Sequence, residues 1–237
     1  MPNRVEALTI VLDPEHTVSG LLQRPPEAAA LFVMAHGAGA GMTHPFMAAV
    51  AQGLAERGIA TLRYQFPYME AGSKRTDTPA VAQQAVRAAV ATANHLLPAA
   101  PLFAGGKSFG ARMTSQAQAE APLPRVRGLV FLGFPLHPAN RPSDARAAHL
   151  HGVRIPMLFL QGTRDALAEP ALLAPLVKRL GGAATLSLVE HGDHSFHVPK
   201  RATSNDVQVL AGLCDTITAW IAAIPRPAAP PAGTAPP

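Results

Sequence analysis

One serine in this chain sits between two spaced glycines: Gly106-Lys107-Ser108-Phe109-Gly110 is a G-x-S-x-G pattern, and it occurs once. A serine hydroxyl is a weak nucleophile until a base removes its proton, and a carboxylate must in turn orient that base. The chain offers both. Asp165 ends the run Gln161-Gly162-Thr163-Arg164-Asp165, and His194 lies in His191-Gly192-Asp193-His194-Ser195-Phe196. Each follows an apolar, strand-like run. The order serine, acid, histidine suits a sheet whose successive strands deliver reactive groups to one edge. The chemistry within reach is nucleophilic acyl transfer, with Ser108 attacking, His194 moving the proton and Asp165 holding the imidazole.

Alternatives exist for two of these residues. His191, His194 and His197 recur every three residues and could be read as metal ligands. The intervening Gly192 and the position after a strand argue for a loop, where that spacing gives no common face. Asp193 and Glu190 rival Asp165 as the acid, but both lie beside the base in sequence, whereas Asp165 approaches from the preceding strand end. The oxyanion of an acyl-transfer intermediate needs preorganised N–H donors. The amide of Phe109, next after the nucleophile, supplies one. The Ala38 amide, in the small-residue loop His36-Gly37-Ala38-Gly39-Ala40-Gly41, is nominated for the other. His36 is read as fixing that loop. No metal or organic cofactor is expected.

The elements that must position these groups follow from periodicity and turn signals. Two runs, Val5 to Leu12 and Val18 to Arg24, flank Asp13-Pro14-Glu15-His16 and should form an antiparallel start. Buried strands follow at Leu31 to Ala35, Ile59 to Phe66, Pro101 to Gly105, Gly128 to Phe134, Met157 to Gln161 and Ala184 to Val189. Helices are expected at Pro45 to Arg57, Ala80 to Leu97, from the elbow to Glu120, at Ala168 to Leu180 and at Asn205 to Ile224. Residues 67–79 read as a turn-rich loop. This alternation predicts an α/β fold, a mostly parallel eight-stranded sheet with helices on both faces. Residues 1–224 read as one domain, and the Pro/Ala-rich 225–237 as a disordered tail.

Composition narrows the function classes. The 237 residues carry 48% hydrophobic side chains, enough for a full core in one domain of the larger α/β kind. The net charge of +5 comes from scattered arginines, without a basic run interleaved with aromatics, so nucleic-acid binding is not expected. A single cysteine, Cys214, rules out an internal disulfide. The first residues lack the pattern of a secretory signal, and no apolar stretch reaches the roughly 18 residues of a membrane span. A cytoplasmic monomer or homodimer acting on a small-molecule acyl substrate is the expectation.

With its His36-Gly37 loop, Gly106–Gly110 elbow, Asp165 and His194, the chain resembles the α/β-hydrolase superfamily over nearly its whole folded length. Within it the chain is most similar to the small group related to dienelactone hydrolase and testis-expressed protein thirty. That narrower likeness rests on His36-Gly37-Ala38-Gly39-Ala40 with His44-Pro45-Phe46-Met47, on Phe66-Pro67-Tyr68-Met69-Glu70, on Gly105-Gly106-Lys107-Ser108-Phe109-Gly110-Ala111-Arg112 and on Gln161 to Asp165. The resemblance implies an α/β-hydrolase fold and a serine-dependent esterase. Dienelactone hydrolases proper carry a cysteine nucleophile, so Ser108 speaks against dienelactone as substrate. Relatives of this group also include non-enzymatic components of larger assemblies, which makes an interaction protein the competing reading. Where many relatives insert a lid, this chain has only Leu136 to Arg154, which predicts a minimal one. Lys107, Arg112, Arg141 and Arg146 could draw an anionic substrate or simply lie solvated on the surface.

Overall fold

The structure is a computed structural model that describes residues 4–225. Eight strands form one sheet in the order β1-β2-β4-β3-β5-β6-β7-β8. β1 (Arg4–Val11) and β2 (Thr17–Arg24) make the antiparallel start, and β2 joins β4 (Ile59–Tyr64) antiparallel as well. From there β3 (Ala30–Ala35), β5 (Leu102–Lys107), β6 (Val126–Leu132), β7 (Met157–Gly162) and β8 (Ala184–Val189) run parallel to β4. The fold class is the expected one.

The central strands are apolar throughout because both of their faces are covered. Every residue of β3, β4 and β7 is buried, and alternate residues feed two separate cores. Leu31, Val33 and Ala35 join the core under α3 (Pro79–Leu96), α4 (Phe109–Glu120) and α5 (Pro170–Leu180). Phe32 and Met34 join the core under α1 (Pro45–Ala55) and α6 (Asp206–Ala223). The Ala-rich face of α3, from Ala82 through Ala93, lets that helix lie close to the sheet. Proline, abundant in the composition, has a local use here: α1, α3, α5 and the short α2 (Pro67–Glu70) each begin on one. A helix's first residue needs no N–H acceptor, and the fixed φ of proline suits it.

Three expectations shift. Residues 67–79 are not loop throughout, because Pro67 starts α2 and brings Tyr68 inward. The strand expected to run to Phe66 therefore ends at Tyr64. β6 stops at Leu132 rather than Phe134 because Gly133, at φ 68°, turns the chain. The segment from Leu136 to Arg154 is held to the body rather than raised over it. The Leu136 and His137 N–H groups both donate to the Leu167 carbonyl, the buried His137 ring meets Glu169 at 2.5 Å, and Arg179 donates to Asp144 at 2.6 Å. Ala147 and Leu150, in the helical turn Ala145–Gly152, are buried in the core shared with α4. The lid is minimal, as expected. Of the tail, only Pro225 is among the described residues.

Candidate active site

The G-x-S-x-G spacing answers to a steric demand. A Cβ built at Gly106 would collide with the Ala35 carbonyl of β3, and one at Gly110 would lie 2.6 Å from the same oxygen. Both glycines let the β5–α4 junction pass against the neighbouring strand. Between them Ser108 takes φ 51° and ψ −110°, a backbone region that L-residues rarely adopt. The turn is fixed by the Ser108 N–H donating to Leu132 (3.1 Å) and by the Arg112 N–H donating to Ser108 (3.1 Å). The Phe109 ring packs edge-on to Phe66 at 5.2 Å and Tyr68 at 6.4 Å, anchoring the start of α4.

The Ser108 Oγ lies 2.8 Å from His194 Nε2, and His194 Nδ1 lies 2.7 Å from Asp165 Oδ2. Three residues from three strand ends thus form one hydrogen-bonded chain. The Asp165 side chain is fully buried, while the His194 ring keeps 26% exposure. Asp165 also accepts from the Leu167 N–H at 2.8 Å and from the Gln161 side-chain amide, whose oxygen takes the Phe134 N–H at 2.9 Å. A buried carboxylate without such donors would be costly.

The histidine loop is tight, with His191 and Phe196 at φ 62° and 64°. Asp193 accepts from the N–H groups of Ser195 (2.7 Å) and His197 (2.9 Å), so its carboxylate builds the loop rather than orienting the base. Gly162, at the end of β7, has no room for a Cβ against the Gly192 carbonyl, and the Arg164 N–H donates to that carbonyl at 2.8 Å. The three histidines diverge. His191 faces Glu190 at 3.5 Å, His197 faces Asp206 at 2.6 Å, and His194 faces Asp165.

The His36–Gly41 loop lies against the elbow, with a Gly37 Cβ position 3.8 Å from Ser108 Cβ. His36 is buried and accepts the Phe66 N–H on Nε2 at 3.1 Å, leaving Nδ1 to donate to the Gly37 carbonyl at 2.7 Å. Burial pushes the pKa of this ring down, consistent with a neutral structural histidine. The Tyr68 hydroxyl accepts the Gly39 N–H at 2.8 Å, and Gln65 accepts the Met42 N–H at 2.8 Å. Among the described residues the N–H groups of Ala38 and Phe109 have no hydrogen-bond acceptor.

Sequence reasoning missed Gln161, Tyr68 and the true position of Lys107. Lys107 neither lies solvated nor opens toward solution as an anion trap. Its Nζ donates to the His194 carbonyl at 2.6 Å and sits 5.6 Å from the Phe196 ring centre. Burial, opposed by the charges of Asp165 and Asp193, brings its pKa down to about 8. The burial of β5 could have flagged it, since a lysine ending a strand whose other five residues are buried needs an acceptor nearby.

A family model described as an alpha/beta hydrolase domain matches residues 28–222. Among solved structures, the chain is similar to a dienelactone hydrolase from Anabaena variabilis, at 21% identity and a TM-score of 0.76, covering 94% of this chain and 99% of that one. It is similar to an alpha-beta serine hydrolase homologue from Coxiella burnetii, at 18% identity and a TM-score of 0.72, covering 91% and 97%. A serine hydrolase without a lid from Xanthomonas campestris matches at 22% identity and a TM-score of 0.71, covering 95% and 99%. These likenesses are of fold. The match over residues 28–222, spanning the elbow, the acid loop and the histidine loop, means that the chain belongs to the α/β-hydrolase family.

Proposed function

We propose that this α/β hydrolase cleaves an ester or related acyl bond with Ser108 as nucleophile, His194 as general base and acid, and Asp165 as the group orienting the imidazole. The observation that carries this reading is the unbroken chain from Ser108 Oγ to His194 Nε2 (2.8 Å) and from His194 Nδ1 to Asp165 Oδ2 (2.7 Å). His194 takes the Ser108 proton as Oγ bonds to the acyl carbon, and the carbonyl electrons move onto oxygen. The amides of Phe109 and Ala38, free of other acceptors, suit that oxyanion. Collapse of the intermediate expels the alcohol or thiol, which leaves with the proton from His194. Water then repeats the sequence on the acyl-Ser108, releasing the acid and restoring the hydroxyl. No step requires a metal or organic cofactor.

The substrate assigned is a small acyl compound, reached through an open approach because the 136–154 segment is tied down. Among the described residues no helix is long and apolar enough to cross a membrane. The whole of residues 1–224 serves as one catalytic domain. Hydrolysis of p-nitrophenyl acetate and butyrate tests the reading. Ser108→Ala is expected to lose essentially all turnover, and a Ser108→Ala protein as fast as the parent would refute it.

A further inference from the structure

The helix carrying Ser108 also carries an arginine without a counter-ion. Arg112 follows Ser108 by one turn of α4 and is half-buried, with its Nε shut off from solvent and lacking an acceptor. Side chains on a helix lean back toward its N-terminus, which for Arg112 is the Ser108 end. Arg146 belongs to the turn Ala145–Gly152 that packs on this helix, and it too is half-buried. The two segments are tied together, since the Ser115 hydroxyl donates to the Arg112 carbonyl (2.9 Å) and pairs with His149 Nε2 (2.8 Å). Burial first, then the nearby Arg146 charge, hold the Arg112 guanidinium below its ordinary pKa. Burial and Arg112 likewise keep His149 neutral at pH 7, with a pKa of about 4.

The carboxylates of α4, of the residue before the Ala145–Gly152 turn and of the loop after β7 have partners of their own. Asp144 binds Arg179 at 2.6 Å, Glu120 meets Arg87 at 3.5 Å, Glu169 binds His137 at 2.5 Å and Asp165 holds His194. Among the described residues no carboxylate comes within ion-pairing distance of Arg112 or Arg146. Two like charges drawn partly out of water without a counter-ion are costly unless an anion completes the site. The planar guanidinium fork fits a carboxylate in particular.

We infer that Arg112 and Arg146 form an anion subsite, so that the substrate carries a carboxylate a few atoms from the bond that Ser108 attacks. The inference deepens the reading of Ser108 as nucleophile and rests on it. Lys107 is left out of the subsite because its amine is held at the His194 carbonyl, where the charges acting on it are those of Asp165 and Asp193.

Two measurements on the full chain test it. The first compares kcat/KM for p-nitrophenyl monoadipate and p-nitrophenyl hexanoate, and for 4-acetoxybenzoate and its methyl ester, after subtracting spontaneous hydrolysis. In at least one pair the anion is expected to be favoured by about tenfold or more. Arg112→Gln and Arg146→Gln should bring that ratio toward one, Arg112→Lys should keep part of it, and Arg141→Gln, at an exposed position of the neighbouring loop, should leave it intact. The second follows the Tm of the Ser108→Ala protein with added adipate or 4-hydroxybenzoate. A rise in Tm is expected, and it should vanish in Ser108→Ala/Arg112→Gln. Neutral esters cleaved as well as anionic ones, or a ratio that survives both arginine substitutions, would overturn the inference while leaving the nucleophile assignment standing. Anion binding by Ser108→Ala together with a parent that cleaves no ester would sink the hydrolase reading and keep the subsite. No Tm response to either anion would also overturn the subsite.

Discussion

Replacing Lys107 with methionine separates what the residue does for the site from what it costs the fold. Burial shifts the Lys107 pKa from the ordinary 10.5 to about 8. At about 1.4 kcal/mol per pH unit, that gap corresponds to about 3 kcal/mol. The depressed value means that between pH 8 and 10.5 the unfolded chain still binds a proton that the folded protein has released, so parental stability rises with pH across that window. Below pH 8 the penalty of burying the ammonium is fully present. Lys107→Met removes the penalty but also removes the charged hydrogen bond to the His194 carbonyl, worth about 1.5–3 kcal/mol. Whatever the difference at pH 7, the variant should lose about 3 kcal/mol relative to the parent between pH 7 and 10.5, because only the parent gains stability across that window. Urea unfolding of both proteins at pH 7, 9 and 10.5 measures this, since all other titrating groups cancel in the difference. With its carbonyl unanchored the His194 loop shifts, and turnover of p-nitrophenyl butyrate should fall about tenfold or more even at pH 7. A stability difference constant across pH, or full activity in the variant, would refute the reasoning.

Other expectations follow from single contacts. Gly110→Ala sets a methyl group 2.6 Å from the Ala35 carbonyl, so the protein should lose about 1–3 kcal/mol in urea unfolding. Gln161→Leu leaves the buried Phe134 N–H and Asp165 carboxylate each short of a partner. It should cost about 1–3 kcal/mol in the same assay and lower turnover. Cys214 is fully buried, and burial lifts its thiol pKa to about 11. It should resist Ellman's reagent at pH 8 in the native state and react once in denaturant; rapid native reaction would contradict its packing between α1 and α6.

The fold, and the residues the proposed mechanism uses, were legible for physical reasons. Central parallel strands must be apolar on both faces, so Leu31–Ala35 and Met157–Gln161 announce themselves. The elbow glycines are costly to replace because Ala35 lies against them. The residues that hold the site were less legible, because their partners are distant in sequence. Gln161 serves Asp165 and Phe134 at once, and Lys107 reaches His194 across 87 positions. Tyr68 meets Gly39 only because Pro67 starts a short helix where turn-forming residues suggested loop. The scattered arginines gave no sign of which were paired. Only the packing of residues 145–152 on α4 singles out Arg112 and Arg146 from Arg141, which is exposed.

The central claim is that Ser108 is activated by His194 and Asp165. It is tested most directly by incubating the purified protein with a fluorophosphonate probe and reading intact mass. The parent should gain one adduct, mapped to Ser108, while Ser108→Ala gains none and His194→Ala and Asp165→Asn react at least about a thousandfold more slowly. A parent that stays unmodified while a control serine hydrolase reacts, or an adduct that persists in Ser108→Ala, would contradict the account.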